Sequence, residues 1–225
     1  MSSRIRFLES SVGTKILIGL TGLFLFIYLL VHIAGNLAVL AGPDTFNRYS
    51  AALVNNPAIA VIEVVLVLGI LTHIFKALTM YLANRQARPV GYTMKRPAGH
   101  TSRKSLASST MILSGLWLLT FIVIHVRAFK FGPAYERDGI HDLYRVEFEN
   151  LSNPLTVTFY VITMLIVGSH LWHGIASSFQ SLGLNHPRWT PRLRVFGKVM
   201  AVVIAGGFAA IVVWVFVSQT GQVVR

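Results

Sequence analysis

The chain has 225 residues, 12% of them charged, no cysteine, and a mean hydropathy of +0.62. A soluble domain carries about twice that charged fraction and lacks apolar runs of the ~20 residues that cross a bilayer, so the composition excludes a soluble globular protein. Without cysteine the chain holds no thiolate-bound cluster or metal and no internal disulfide. The net charge of +12 sits in connections beside apolar segments. That placement reads as a topology signal and as attraction for anionic lipid or an acidic protein, with no nucleic acid among the expected partners.

In chain order, the first apolar segment covers about residues 15–41 and is too long, and too poor in cleavage-site signals, for a removable signal peptide. Four more follow at about 58–83, 105–131, 154–182 and 195–219. Pro57 and Pro154 stand at two starts, where a missing N–H costs a helix little, and Asn56 and Asn153 precede them as caps. The expected fold is an all-α membrane protein of five transmembrane helices, a single integral domain over residues 1–225. Every connection is under 30 residues, so a site for a polar metabolite would lie on another subunit.

Orientation follows from Lys and Arg in the connections. Arg4, Arg6 and Lys15, then Arg85, Arg88, Lys95, Arg96, Arg103 and Lys104, then Arg188, Arg192, Arg194 and Lys198 put 13 on one side. The other side has six: Arg48, Arg127, Lys130, Arg137, Arg145 and Arg225. The N-terminus is therefore expected in the cytoplasm and the C-terminus outside. Glu136, Asp138, Asp142, Glu147 and Glu149 all fall in the third, outer connection.

Of eight histidines, His100, His141 and His186 lie in connections, where solvation explains them. His32, His73, His125 and His170, with His173 beside the last, lie inside spans, where an ionisable group is costly and points to function. A lone intramembrane histidine also serves as an interhelical hydrogen-bond donor. Depth distinguishes the set. At ~1.5 Å per residue, His32 lies ~26 Å and His125 ~30 Å from the inner ends of helices that run outward. His73 and His170 each lie 16 residues, ~24 Å, from the outer ends of helices that run inward. Two histidines share an outer level and two a deeper one, each pair drawn from different helices. Such pairs suit two planar porphyrins, each iron clamped between neutral imidazoles, in a bundle formed by the first four helices.

A local repeat accompanies the pairs: Thr21-Gly22-Leu23-Phe24-Leu25 before His32, and Ser114-Gly115-Leu116-Trp117-Leu118 before His125. The glycine precedes the histidine by 10 residues in both, near the inner level, where a haem edge needs space. Gly69 and Gly174 fall on the histidine faces of their helices. His170 and His173 compete for one role; depth and Gly174 favour His170, leaving His173 as the alternative or as a quinone-site residue.

Glu63, the one carboxylate inside a span, lies ~8 Å below the outer end of its helix, near the level of His32 and His125. It suggests proton exchange with a quinone, or equally a protonated acid bonded to a neighbouring helix. Lys76 and Arg127 could each pair with a haem propionate or snorkel to the interface. Trp189 and Tyr92 suit headgroup depth.

With these residues in place, the chain resembles the five-helix, two-haem cytochrome b subunit of succinate:quinone oxidoreductases, including fumarate reductases, in the b558 branch. The matching stretches are Thr21-Gly22-Leu23 through His32 to Gly35-Asn36-Leu37, Asn84-Arg85-Gln86-Ala87-Arg88-Pro89, and Met111 to Gly115 leading to His125. The most specific are His170-Leu171-Trp172-His173-Gly174 and Leu182-Gly183-Leu184-Asn185-His186-Pro187. The resemblance implies two haem b groups with axial ligands on His32 and His125 (outer) and His73 and His170 (inner). It also implies a bacterial cytoplasmic membrane, a flavoprotein and an iron–sulfur subunit docked on the cytoplasmic face, and electron flow from succinate through the inner and outer haems to a quinone, expected to be menaquinone.

Three rival readings fit the residues less well. A quinol:cytochrome c type cytochrome b puts two ligands on each of two helices, a spacing no helix has here. A hydrogenase or formate dehydrogenase cytochrome b lacks this run of motifs. A proton-coupled transporter would explain buried His and Glu63 but not their pairing at two depths.

Overall fold

The long apolar runs form helices because a bilayer leaves no partner for an unpaired backbone N–H or C=O. The computed structural model describes residues 9–87 and 106–220. Its helices are α1 (Ser11–Asn36), α2 (Pro43–Val54), α3 (Ala58–Gln86), the single turn α4 (Leu106–Ser109), α5 (Met111–Phe129), α6 (Leu143–Asn150), α7 (Pro154–Ser181) and α8 (Thr190–Thr220). Five segments are long and apolar enough to cross a membrane: Ser11–Ala41, Ala58–Gln86, Met111–Phe129, Pro154–Ser181 and Thr190–Gln219. The protein is an all-α integral membrane protein.

The caps follow the sequence. The Asn56 carboxamide oxygen accepts from the Ala58 amide at 3.0 Å and that of Asn153 from the Leu155 amide at 2.8 Å. Two ends differ from expectation. The first span turns from α to 3-10 over Leu37–Ala41, where the Asn36 carboxamide donates to the His32 carbonyl at 2.8 Å and takes an acceptor from the α ladder. The third span, expected unbroken, is interrupted at Thr110, whose hydroxyl donates to the Leu106 carbonyl at 3.0 Å. Such back-bonding bends helices.

The tightest seam joins α7 and α8. Met164, Val167, Leu171 and Ile175 bury against Ala201 and Ile204, and small residues let the backbones approach, as is usual between membrane helices. A Cβ on Gly168 would stand 3.1 Å from Ala205, and one on Gly197 3.3 Å from Ile175. Helix α1 completes this core with Phe26, and its Ile33 presses into the notch at Gly207. By contrast α3 has no buried residue; it packs along α1 and meets α5 sparingly.

The connections at one end form a cap that the apolar pattern did not announce. Glu136–Arg137 and Ile140–His141 pair as a two-stranded hairpin across Asp138 and Gly139 (φ 53° and 76°), the left-handed pair an Asp-Gly turn adopts. Helices α2 and α6 are latched through Asn47: its side-chain amide donates to Asp142 Oδ1 at 2.7 Å, and its oxygen accepts from the Tyr144 amide at 2.9 Å. Both Asn47 and Asp142 are buried. Replacing Asn47 by Ala strips both partners and should cost about 2–3 kcal/mol, read as a lower thermal midpoint by circular dichroism in detergent.

Glu147 of α6 is buried at 5% exposure, and this pushes its carboxyl from 4.5 up to about 7. A raised carboxyl pKa favours the fold while the group holds its proton, so this contribution is complete below about pH 4.5 and lost as pH rises through about 7. At ~1.4 kcal/mol per unit the full swing is about 3 kcal/mol. Glu147→Gln should therefore shrink the drop in thermal midpoint between pH 5 and pH 8; an unchanged drop would assign it to other groups.

Candidate functional site

Eleven residues separate Thr21 from His32 on α1, and eleven separate Ser114 from His125 on α5. At 3.6 residues per turn that is three turns, so each hydroxyl and each histidine lie on one helix stripe about 16 Å apart. Both helices start at the basic end of the bundle and finish at the capped end, so the hydroxyls mark a deeper level and the histidines a level beneath the cap.

At the deeper level each hydroxyl meets a histidine from the next long helix. Thr21 Oγ1 is 3.1 Å from His73 Nδ1 and 2.7 Å from the Leu17 carbonyl. Ser114 Oγ is 2.9 Å from His170 Nδ1 and 3.0 Å from the Met111 carbonyl. A carbonyl can only accept, so each hydroxyl proton goes to its own helix and each hydroxyl oxygen is left to accept an Nδ1–H. The tautomer this assigns leaves Nε2 of both rings with a free lone pair, the form in which imidazole binds a metal. Glycine gives room at one of the two: a Cβ on Gly22 would stand a tight 3.3 Å from His73 Cε1, whereas one on Gly115 would make an ordinary contact with His170 Cε1 at 3.7 Å. His73 and His170 lie within electrostatic reach of each other, with His173 nearby on α7.

At the capped end the rings of His32 and His125 stand 5.9 Å apart, centre to centre, at 85°. Two imidazoles bound to one metal at about 2 Å each, with ring centres about 1 Å beyond, are about 6 Å apart, close to the separation of this pair. Tyr28 stacks on His32 at 5.4 Å, and Phe208 of α8 lies 5.5 Å away. Phe121 and Phe129 flank His125 at 5.4 and 4.9 Å. These walls are apolar and aromatic, suited to a porphyrin. The Nδ1 partners are weaker than at the deeper level: Tyr160 Oη at 3.3 Å for His125 and the Asn36 amide nitrogen at 3.4 Å for His32. Among the described residues no group of three or more His, Cys, Asp or Glu is placed to hold a bare metal ion. The pairs offer two protein donors each, the number a haem iron leaves open.

The other expected residues fall as follows. Glu63 pairs with Lys130 at the end of α5, both about half exposed, so it meets a cation across the α3–α5 seam. Arg127 donates to the Phe131 carbonyl at the end of its own helix, and Lys76 Nζ lies 6.0 Å from the Phe75 ring centre. The space beside Gly69 is filled by the Phe24 ring, whereas nothing lies within 4 Å of a Cβ on Gly174. Arg192 stands over Trp189 at 5.1 Å. Tyr92, His100 and the basic residues from Arg88 to Lys104 lie outside the described residues, as do Arg4, Arg6 and Arg225. In the sequence Thr21 and Ser114 stand out only as parts of a repeat, and nothing marks Tyr160, Tyr28 or Phe208. The 11-residue stripe was the available signal for the first two.

Compared with family models, curated proteins and solved structures, the chain matches none.

Proposed function

We propose that the chain is the two-haem cytochrome b membrane anchor of a succinate dehydrogenase (succinate:menaquinone oxidoreductase) or fumarate reductase, lying in a bacterial cytoplasmic membrane with its N-terminus in the cytoplasm. The observation that carries the haem reading is the pairing of four histidines from four helices at two levels, with one pair at metal-bridging separation. Succinate and the partner subunits rest on the ordered series of motifs, because the connections are too short to build a dicarboxylate site.

A haem held at each pair supplies one-electron chemistry. His73 and His170 bind the inner iron, next to the basic end, where the flavoprotein and iron–sulfur subunits dock on Arg and Lys. His32 and His125 bind the outer iron, and their aromatic neighbours keep water away. Glu63, paired with Lys130 near the outer level, exchanges protons with the quinone. Lys76 and Arg127 are the candidates to meet haem propionates.

A reduced-minus-oxidised spectrum of the purified protein should contain two b-type haem signals; a colourless preparation would refute the reading. His125→Ala should remove the outer signal alone. His170→Ala should remove the inner one while His173→Ala leaves it, and the opposite result would move the ligand to His173. In the intact complex, succinate should reduce both haems. Glu63→Gln should slow quinone turnover about tenfold or more and leave both spectra in place; unchanged turnover would remove Glu63 from the proton path.

A further inference from the structure

The two hydroxyls at the deeper level are set by geometry, not by chance polarity. Both follow the same bonding rule: the oxygen gives its proton to a carbonyl of its own helix, at 2.7 Å for Thr21 and 3.0 Å for Ser114. The same oxygen lies 3.1 or 2.9 Å from Nδ1 of a histidine 52 or 56 residues further along the chain, placed to accept from it. Both precede a glycine that lies beside the Cε1 of that same histidine, tightly at Gly22 and at ordinary contact distance at Gly115. Both stand three turns from the histidine of the capped end, so a single stripe of α1, and a single stripe of α5, carries one residue for each level. The capped-end histidines have no equivalent support: their Nδ1 contacts run to 3.3 and 3.4 Å, one to a phenol and one to an amide nitrogen that can only donate.

We infer that Thr21 and Ser114 are positioning residues that hold His73 and His170 in the Nδ1–H tautomer and tune the inner metal through them. This rests on the haem reading. An acceptor on Nδ1–H presses the imidazole toward imidazolate character and makes it a stronger donor through Nε2, which stabilises the oxidised metal. The inner centre feels two such acceptors, one on each side. Removing either hydroxyl takes away a side-chain acceptor, leaving His170 without it and His73 with the Ile18 carbonyl alone, and weakens the donor.

The test uses the full chain in its complex, with Thr21→Val and Ser114→Ala as losses and Thr21→Ser and Ser114→Thr as hydroxyl-retaining controls. Redox titration of the two haem signals should show the inner midpoint moving to more positive potential in the loss variants, with the outer midpoint unmoved. The low-spin ferric resonance of the inner site should change with it. The controls should restore both readouts. Should a loss variant drop the inner haem altogether, recovery in its control supports positioning. Unchanged midpoint and resonance in the loss variants, or controls that behave like the losses, overturn the inference while two haem signals still stand. Absence of haem from the unmutated protein overturns the underlying function instead.

Discussion

A histidine ring inside a bilayer has two nitrogens and no water to satisfy them, and the organisation of this bundle follows from that constraint. One nitrogen must find a protein partner, because an unpaired polar group in hydrocarbon costs several kcal/mol. The hydroxyls of Thr21 and Ser114 supply it at the deeper level, at 3.1 and 2.9 Å. They do so only because serine and threonine in a helix can shed their own proton onto a carbonyl one turn back. The second nitrogen is then left with a bare lone pair, the form in which imidazole binds a metal.

The same economy of partners governs the cap. Asn47 is buried and yet uses both ends of its amide, one toward Asp142 and one toward the backbone of α6. Glu147 is buried in the same cap, and its loss of water makes it hold its proton more tightly. Glu63, about half exposed on its helix, takes the other solution and pairs with Lys130. Position relative to water decides which solution each carboxylate adopts.

Much of this was legible in the sequence. The five apolar segments were legible because apolar length is a coarse and strong signal, though helix starts moved by up to six residues, to Met111 from 105 and to Thr190 from 195; Asn56 and Asn153 accept from the first amides as their residue type dictates. The level of each histidine followed from helix rise alone, so His32 could be matched to His125 before any contact was known. What stayed hidden was lateral. Rise gives depth but not which neighbour a side chain faces, so the Lys130 partner of Glu63 and the Phe24 ring beside Gly69 needed the packed helices. The cap was hidden for another reason: α2 and α6 are short, polar helices without a long apolar stripe. The break at Thr110 depends on one hydroxyl bond, below what a hydropathy pattern resolves.

The pairing of each hydroxyl with a histidine of the following helix divides the bundle into two matching hairpins, α1 with α3 and α5 with α7. Each hairpin carries its own hydroxyl–histidine support, and the two are already joined because α1 packs directly on α7. Under the proposed function, a metal at each level would add a further join, α1 to α5 above and α3 to α7 below, so loading it would tighten an assembly already formed. The last helix, α8, stands outside this duplicate plan and backs it along α7.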